Sequence, residues 1–223
     1  ARVGGGGYGS EQMFAFSTTR PQLDEKLAAR VRPVSLGLTR TLPLDEPWAS
    51  LVPGGGLRRG ATVSVSAPAG GGGLSLALTL LTAASARGHW AAVVGVEDPG
   101  VVAMAELGLD LRRVLFVPRP RGVWAESAAD LLDGVDLVIV RPPGRAAVTP
   151  ARRLTDRVRE RGAVLIVLSE PHAPWPLPAD LTMDVVNSSW SASSRLDERQ
   201  LDVVVRGRGA TRPATVRLAL PPR

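Results

Sequence analysis

A glycine-rich segment in the middle of the chain carries the strongest signal for chemistry. Residues 66–78 read SAPAGGGGLSLAL and follow the strand-like run ATVSVS over 61–66. A strand, a glycine-rich turn and a helix together form an arrangement that cradles phosphate groups on backbone N–H groups. Such a turn also needs a lysine to neutralise the β- and γ-phosphates and a hydroxyl to hold Mg²⁺. Since Lys26 is the only lysine of the chain, no alignment of this segment supplies the ammonium group.

The composition excludes several other kinds of site. The chain has no cysteine, which excludes disulfides, thiolate metal sites and a cysteine nucleophile. Its two histidines, His89 and His172, are far apart in sequence and do not have the spacing of a zinc site. No G-x-S-x-G motif is present, and no serine, histidine and acidic residue form a hydrolase-like set. We therefore expect no catalytic residue and no bound metal.

The positive charge of the chain is carried almost entirely by arginine. Lysine plus arginine total 27 against 21 acidic residues, which gives a net charge of +6. Arg153, Arg157 and Arg161 share one face of a predicted helix. A second group lies near the C-terminus: Arg195, Arg199, Arg206, Arg208, Arg212, Arg217 and Arg223. Both groups fit an ordinary solvated face, a contact with an acidic protein surface or a contact with a nucleic-acid backbone.

Two tryptophans, Trp175 and Trp190, flank a proline-rich region. They fit either burial in the core or anchoring in a groove of a partner. Aromatic residues make up 4% of the chain, too few to favour specific binding of single strands, so any DNA contact is expected to be indirect or weak. The candidate partner or DNA contacts are Arg153, Arg157, Arg161, Trp175, Trp190, Arg206 and Arg208.

The elements that must position these residues alternate along the chain. Short apolar runs alternate with helical patterns, which predicts an α/β fold with a mainly parallel sheet flanked by helices. The predicted strands are 61–66, 90–96, 114–117, 136–140 and 163–168, and the predicted helices are 74–87, 98–107, 124–132 and 150–161. After Ser169 the pattern changes, and the alternating runs 181–190, 200–206 and 213–220 predict antiparallel strands added at one side of the sheet.

The chain is predicted to contain two parts. Residues 1–45 read as a flexible N-terminal segment with a short helix, which ends before Pro33, and a proline-rich linker that continues to about residue 50. Residues 46–223 read as the core domain. No apolar run has the length of a membrane span and the first residues lack a signal-peptide pattern, so we expect a cytoplasmic protein with no membrane contact.

Three further motifs accompany the glycine turn. Residues 53–60 (PGGGLRRG) precede the first core strand, Glu97 and Asp98 follow the second, and residues 107–115 (LGLDLRRVL) lead into the third. Together with the glycine turn they resemble a RecA-family domain over about residues 46–223. In that family the turn reads G-P-x-x-x-G-K-[ST]-[ST]-L-A-L. The resemblance implies a RecA-like fold.

The glycine turn departs from that pattern at the residues that bind the nucleotide. Ala67 stands in place of the first glycine, Gly73 in place of the lysine and Leu74 in place of the hydroxyl that would hold Mg²⁺, whereas Gly72 keeps the second glycine. The resemblance therefore implies a degenerate phosphate-binding loop with no bound cofactor. This loop consists of Ala67, Gly70, Gly71, Gly72, Gly73, Leu74 and Ser75.

A second nucleotide-binding position is also altered. RecA-type domains end the fourth core strand with an acidic residue for Mg²⁺, and here the strand DLVIV is followed by Arg141. Glu97 lies where the family has the glutamate that activates water. Without a lysine, a hydroxyl or the second acid, we interpret Glu97 as a relic or as an ordinary structural carboxylate.

Several segments resemble one group within the RecA relatives. Besides the glycine turn, these are residues 107–120 (LGLDLRRVLFVPRP), 136–144 (DLVIVRPPG) and 201–209 (LDVVVRGRG). The chain is similar here to the ImuA group, in particular the actinobacterial ImuA-prime type, which is related to SulA. The resemblance implies a non-enzymatic accessory protein of DNA-damage-induced mutagenesis (translesion synthesis in the SOS response). Its partners would be the ImuB-type polymerase homologue and an error-prone C-family polymerase, with RecA as a further candidate.

Two alternatives stay open. The first is a SulA-like inhibitor of cell division, although SulA-type chains tend to be shorter and to lack a long N-terminal segment. The second is a RecA-family ATPase with an unusual loop, in which an arginine from elsewhere replaces the missing lysine.

Overall fold

Buried apolar strands build an eight-stranded sheet at the centre of the fold. The computed structural model describes residues 40–52, 54–192, 196–207 and 214–220, and all of them belong to one compact unit. The strands are β1 (Thr41–Pro43), β2 (Gly56–Arg58), β3 (Thr62–Ser66), β4 (Ala91–Val94), β5 (Val114–Val117), β6 (Leu137–Val140), β7 (Val164–Ser169), β8 (Leu181–Ala192), β9 (Leu196–Gly207) and β10 (Ala214–Leu220).

The order of strands in the main sheet is β10-β9-β8-β3-β7-β6-β4-β5. All neighbours from β8 to β5 run parallel, whereas β9 and β10 are added antiparallel to β8 and to each other. The predicted α/β architecture, with a mainly parallel sheet and antiparallel C-terminal strands, is therefore confirmed.

Helices cover both faces of this sheet. They are α1 (Trp48–Leu51), α2 (Gly73–Thr79), α3 (Thr82–Ala86), α4 (Val101–Glu106), α5 (Trp124–Leu131) and α6 (Val148–Arg161), with a 3₁₀ helix at Leu111–Arg113. The side chains of α2, α3 and α4 pack in one apolar cluster, and those of α5 and α6 pack in a second cluster. In β6, Leu137 and Ile139 belong to the first cluster and Val138 and Val140 to the second, as expected for a strand buried on both faces.

Part of the predicted linker belongs to the core. Strand β1 pairs antiparallel with β2, and Leu42 and Trp48 are buried. The indole Nε1 of Trp48 donates to Thr79 Oγ1 at 3.0 Å, which joins α1 to α2. A three-residue strand that ends in proline gives little alternating pattern, which is why the sequence did not predict it. Residues 33–39 of the predicted linker lie outside the described residues.

The single helix predicted over 74–87 is two helices in the structure. Between α2 and α3, the N–H groups of Leu80 and Leu81 donate to carbonyls only three residues earlier, Ala77 at 3.2 Å and Leu78 at 3.0 Å. These short-range bonds tighten the chain into a 3₁₀-like turn and break the α-helical ladder. The break follows Thr79, whose hydroxyl donates to the carbonyl of Leu76 while accepting from Trp48.

None of the helices in the described residues has both the length and the apolar character needed to cross a membrane.

An aspartate joins three strands at the edge where they begin. Asp136, next to β6, accepts from Arg59 NH2 at 2.8 Å and from the backbone N–H of Trp90 at 3.3 Å. His89 Nδ1 lies 3.1 Å from the same carboxylate. Burial raises the pKa of Asp136, but the hydrogen bonds from Arg59 and His89 outweigh it, so this pKa lies below its ordinary value. The ionised carboxylate therefore stabilises the fold.

We expect Asp136→Asn to lower the free energy of unfolding by about 2 kcal/mol at neutral pH, because charged hydrogen bonds are lost at a mostly buried site. A folded-state pKa below the unfolded value of about 4 gives stability that is present above that pH. It is lost as the pH falls through the folded-state pKa. Urea denaturation of both proteins across acidic pH should therefore show the difference between them shrinking toward acid.

Asp156→Asn is the matched control. Asp156 is exposed and lies 3.7 Å from Arg159, so its loss should cost less than about 0.5 kcal/mol. Equal destabilisation by the two substitutions at neutral pH would contradict the role given to Asp136.

Candidate functional site

The C-terminal ends of the parallel strands open into a cleft of about 850 Å³. This is the edge at which α/β sheets bind their ligands. The cleft is bordered by the glycine turn after β3 and by the segments that follow β4, β5, β6 and β7, and Arg199 of β9 also reaches it. The sequence-predicted loop therefore forms part of the cleft wall, and so do Glu97 and Arg141.

The glycine turn is shaped by its own backbone and by close contact with β9. The N–H of Gly71 donates to the carbonyl of Pro68 at 2.8 Å. Gly72 starts α2 with a φ of 88°, a conformation that favours glycine. A Cβ at Gly72 would lie 2.8 Å from Leu201 Cδ2 and 3.0 Å from Arg199 Cζ. The turn therefore requires glycine here on two counts, its backbone conformation and the close approach of β9.

The guanidinium of Arg199 lies directly against this turn. Its Nε donates to Ser188 Oγ at 3.0 Å, and a second nitrogen donates to the carbonyl of Gly70. Its central carbon lies 5.2 Å from the centroid of the Trp190 ring, within the range of a cation–π contact. Burial lowers the pKa of the Arg199 guanidinium. Among the described residues no carboxylate contacts it, so Arg199 satisfies its donors on neutral oxygens.

A bulge in β8 brings Trp190 and Arg199 to the same face of the sheet. Leu181, Met183 and Val185 are buried, but the register with β9 shifts between Val185 and Asn187. One extra residue in a strand moves every later side chain to the opposite face. Trp190 therefore pairs opposite Arg199 and lies on its side of the sheet, with 48% of its surface exposed.

Arg199 has no assigned role in the sequence interpretation, which placed it only in the C-terminal arginine group. One signal was available. Leu201, Val203 and Val205 are buried on one side of β9, and Arg199 continues that alternation by one step. An arginine on the core-facing side of a strand end is expected to contact another part of the fold. The contact with Gly70 nevertheless spans 129 residues of sequence and could not be assigned without coordinates.

Glu97 and Arg141 follow the neighbouring strands β4 and β6, and no ion pair joins their side chains. Glu97 pairs with Arg119 at 3.1 Å, and both side chains are exposed. Arg141 follows β6, and its backbone N–H donates to the carbonyl of Val94 at 2.9 Å. A Cβ at Gly95 would overlap the carbonyl oxygen of Arg141, so the ends of β4 and β6 approach too closely for a side chain there. In the part of the chain that the structure describes, no group of three or more potential ligands is placed to hold a metal ion.

The predicted arginine face of α6 lies outside the cleft. Arg157 and Arg161 both bind Asp133, at 2.5 Å and 3.0 Å, and so tie α6 to the end of α5. The hydrogen bond from Arg157 holds the pKa of Asp133 below its ordinary value. Arg153 is exposed, and no acidic side chain of the described residues pairs with it.

Of the remaining candidate contacts, Trp175 borders the cleft and Arg206 does not. Trp175 is buried in the second apolar cluster and borders the cleft, and its indole N–H has no acceptor among the described residues. Arg206 pairs with Asp184 on the neighbouring strand. Arg208 lies outside the described residues. The structure thus brings Trp175, Trp190, Glu97 and Arg141 to the region of the glycine turn and leaves the α6 arginines apart from it.

Comparison with known proteins identifies a family and a fold. The family described as "MT3502 N-terminal domain" matches residues 50–176. The uncharacterized protein Rv3395c of Mycobacterium tuberculosis (strain ATCC 25618 / H37Rv) is 39% identical over 93 residues, which are 41% of this chain and 46% of that protein. The matched region therefore spans less than half the length of this relative.

A solved structure shows the same arrangement of elements. The KaiC-like protein PH0186 from the hyperthermophilic archaeon Pyrococcus horikoshii OT3 superposes with a TM-score of 0.57 over 81% of this chain and 94% of that one. The two sequences are 15% identical, so the likeness shows the fold alone. The fold is RecA-like, as the sequence resemblance implied.

We expect Arg199→Met to loosen the glycine turn. The substitution removes the donors to Gly70 and Ser188 and the cation–π contact with Trp190, which should lower the free energy of unfolding by about 1–2 kcal/mol. Hydrogen exchange of the amides over 69–73 should become faster. Arg206→Met removes the same charge from an exposed ion pair on the same strand and should leave this exchange unchanged. Equal exchange rates in the two variants would rule out the contact.

Proposed function

The chain belongs to the family of the MT3502 N-terminal domain, and on that premise we propose that it is a non-catalytic RecA-like adaptor of DNA-damage-induced mutagenesis. Its partners are an ImuB-type polymerase homologue and, through it, an error-prone C-family polymerase, with RecA as a further partner. DNA contact is indirect or weak. The observation that carries the proposal is that the glycine turn lacks the residues of a nucleotide site: Gly73 and Leu74 replace the lysine and the hydroxyl. Arg199 of β9 lies against the backbone of the same turn.

The surroundings of the turn support the same proposal. A triphosphate with Mg²⁺ requires a cation with free donors, a hydroxyl and an acidic group around the metal. Arg141 adds a positive charge where the acid would lie, and Glu97 is paired with Arg119. Electrostatics therefore favour an anionic group in the cleft but disfavour the metal ion that ATP chemistry needs.

The ATPase alternative would require Arg199 to replace the lysine. Its Nε and one terminal nitrogen already donate to Ser188 and to the Gly70 carbonyl. The Gly70 carbonyl therefore competes with a phosphate for the donors of this guanidinium. This contact favours an adaptor over an enzyme.

A role in binding proteins is supported by the exposed surface next to the turn. Trp190 keeps 48% of its surface exposed at the end of a long antiparallel strand pair, with Arg199 on its ring. Tryptophan and arginine are, with tyrosine, enriched among the residues that dominate binding energy in protein interfaces. We assign this position to contact with a partner protein.

We expect no saturable binding of a fluorescent ATP analogue in the presence of Mg²⁺, and no ATP hydrolysis. The physical reason is the missing ammonium group and metal site. A fluorescence titration measures binding of the analogue and a phosphate-release assay measures hydrolysis, with a working RecA-family ATPase as the positive control for both. Turnover that disappears on Glu97→Gln would show that the chain is an ATPase and would overturn the proposal.

Affinity purification of the whole chain from DNA-damaged cells tests the partners. We expect the ImuB-type homologue to co-purify, and recovery of the tubulin-like division protein in its place would identify a SulA-like inhibitor. We also expect residues 20–50 to serve a partner. Since Leu42 and Trp48 are buried in the core, the informative deletion is confined to residues 20–39. Full recovery of every partner by that deletion variant would contradict this part of the prediction.

A further inference from the structure

The cleft carries more positive charge than its own acidic residues neutralise. Its acids are Glu97, which pairs with Arg119 at 3.1 Å, and Glu170, which lies 3.3 Å from His172. Three further cations border the cleft without a carboxylate partner among the described residues: Arg121, Arg141 and Arg199. Three arginines around one concave site make it attractive to a ligand with several negative charges.

The walls between these arginines are rich in proline and present apolar surface beside polar surface. Prolines line the cleft in the segments after β3, β5, β6 and β7: Pro68, Pro118, Pro120, Pro142, Pro143 and Pro174. Proline fixes φ, so such walls lose little conformational entropy when a ligand is bound. The buried indole N–H of Trp175, in the same wall, has no acceptor in the described part of the chain. The cleft therefore offers apolar surface between the charged positions.

The size and the chemistry of the cleft decide between classes of ligand. A volume of about 850 Å³ exceeds what one small anion needs and lies in the range of sites that hold larger ligands. Nucleic-acid bases bind on exposed aromatic faces, but Trp175 is 7% exposed and Trp190 does not border the cleft. Carboxylates match the planar fork of arginine and require no metal ion.

We propose that this cleft binds an extended acidic segment of a partner protein, with carboxylates on Arg121 and Arg141 and apolar side chains against the proline walls. The proposal rests on the adaptor function given above and names the site at which one partner docks. Arg199 stays on the glycine turn and contributes its charge to the floor of the cleft.

The test uses the whole chain and a fluorescein-labelled peptide of alternating glutamate and leucine, followed by fluorescence anisotropy. We expect saturable binding that weakens with added salt, and no binding of a peptide with lysine in place of glutamate. The double variant Arg121→Gln/Arg141→Gln should bind about tenfold more weakly, because two arginine–carboxylate pairs are lost. Failure of the acidic peptide to bind the unaltered chain would overturn the proposal.

The matched control removes the same charge elsewhere. Arg87 and Arg152 are exposed, do not border the cleft and have no ion pair with the described residues. Arg87→Gln/Arg152→Gln should retain peptide affinity within about twofold, since only long-range charge is changed. Equal weakening in both double variants would show a non-specific effect of net charge and overturn the site. If the cleft variant fails to fold, Arg121→Lys/Arg141→Lys, which keeps the charge but loses the fork, should show a smaller but measurable loss.

Competition identifies the class of ligand. Neither Mg·ATP nor a single-stranded oligonucleotide is expected to displace the peptide at concentrations near those of the probe. Displacement by the oligonucleotide, with its own binding lost in Arg121→Gln/Arg141→Gln, would assign the cleft to nucleic acid and overturn the peptide site.

Affinity purification separates this proposal from the adaptor function. Recovery of the mutagenesis partner by Arg121→Gln/Arg141→Gln at the level of the unaltered chain would remove the cleft from the interface and leave the adaptor function standing. If the unaltered chain recovers no such partner, the adaptor function is rejected. If peptide binding then still depends on Arg121 and Arg141, the acidic-segment site remains.

Discussion

The contact between Arg199 and the backbone of the glycine turn is the constraint on which the character of the site depends. It joins the antiparallel extension of the sheet to the loop that precedes α2, and Gly72 must lack a side chain for the two to meet. A guanidinium partly removed from water onto neutral oxygens loses hydration that the surrounding structure must replace. Here Ser188 and Trp190 supply that support. The cation is thus a fixed part of the fold, and the charge of the cleft follows from it.

This arrangement gives the cleft a different electrostatic balance from that of a nucleotide site. A nucleotide site combines a cation for phosphate with acids for the metal, whereas Arg141 and Arg199 add positive charge on both sides of the turn. The proposed adaptor role and the proposed acidic-segment site both depend on this excess of positive charge over acidic groups. Both also use the concave edge that a parallel sheet provides wherever neighbouring strands end together.

The sequence predicted the sheet well because its strands are short, apolar and buried on both faces, as in the run DLVIV before Arg141. It also predicted the altered glycine turn, since the absence of a lysine needs no coordinates. It did not predict β1, whose three residues end in proline, or the break after Thr79, which coincides with a hydrogen bond from Trp48 in another element. The position of Arg199 depends on a contact distant in sequence and on the bulge in β8, and the polar run 187–189 shows no apolar alternation that would reveal this bulge.

The bulge in β8 has a consequence for how this family can diverge. Substitutions in residues 186–189 keep the count of residues and therefore keep positions 188 and 190 on the side of Arg199. Loss of the codon for residue 186 or 187 would rotate both following positions to the other side of the sheet while leaving every hydrophobic position of β8 before it in place. In a comparison of homologues, the spacing between Val185 and the tryptophan should thus be a more faithful marker of this site than the identity of the residues between them.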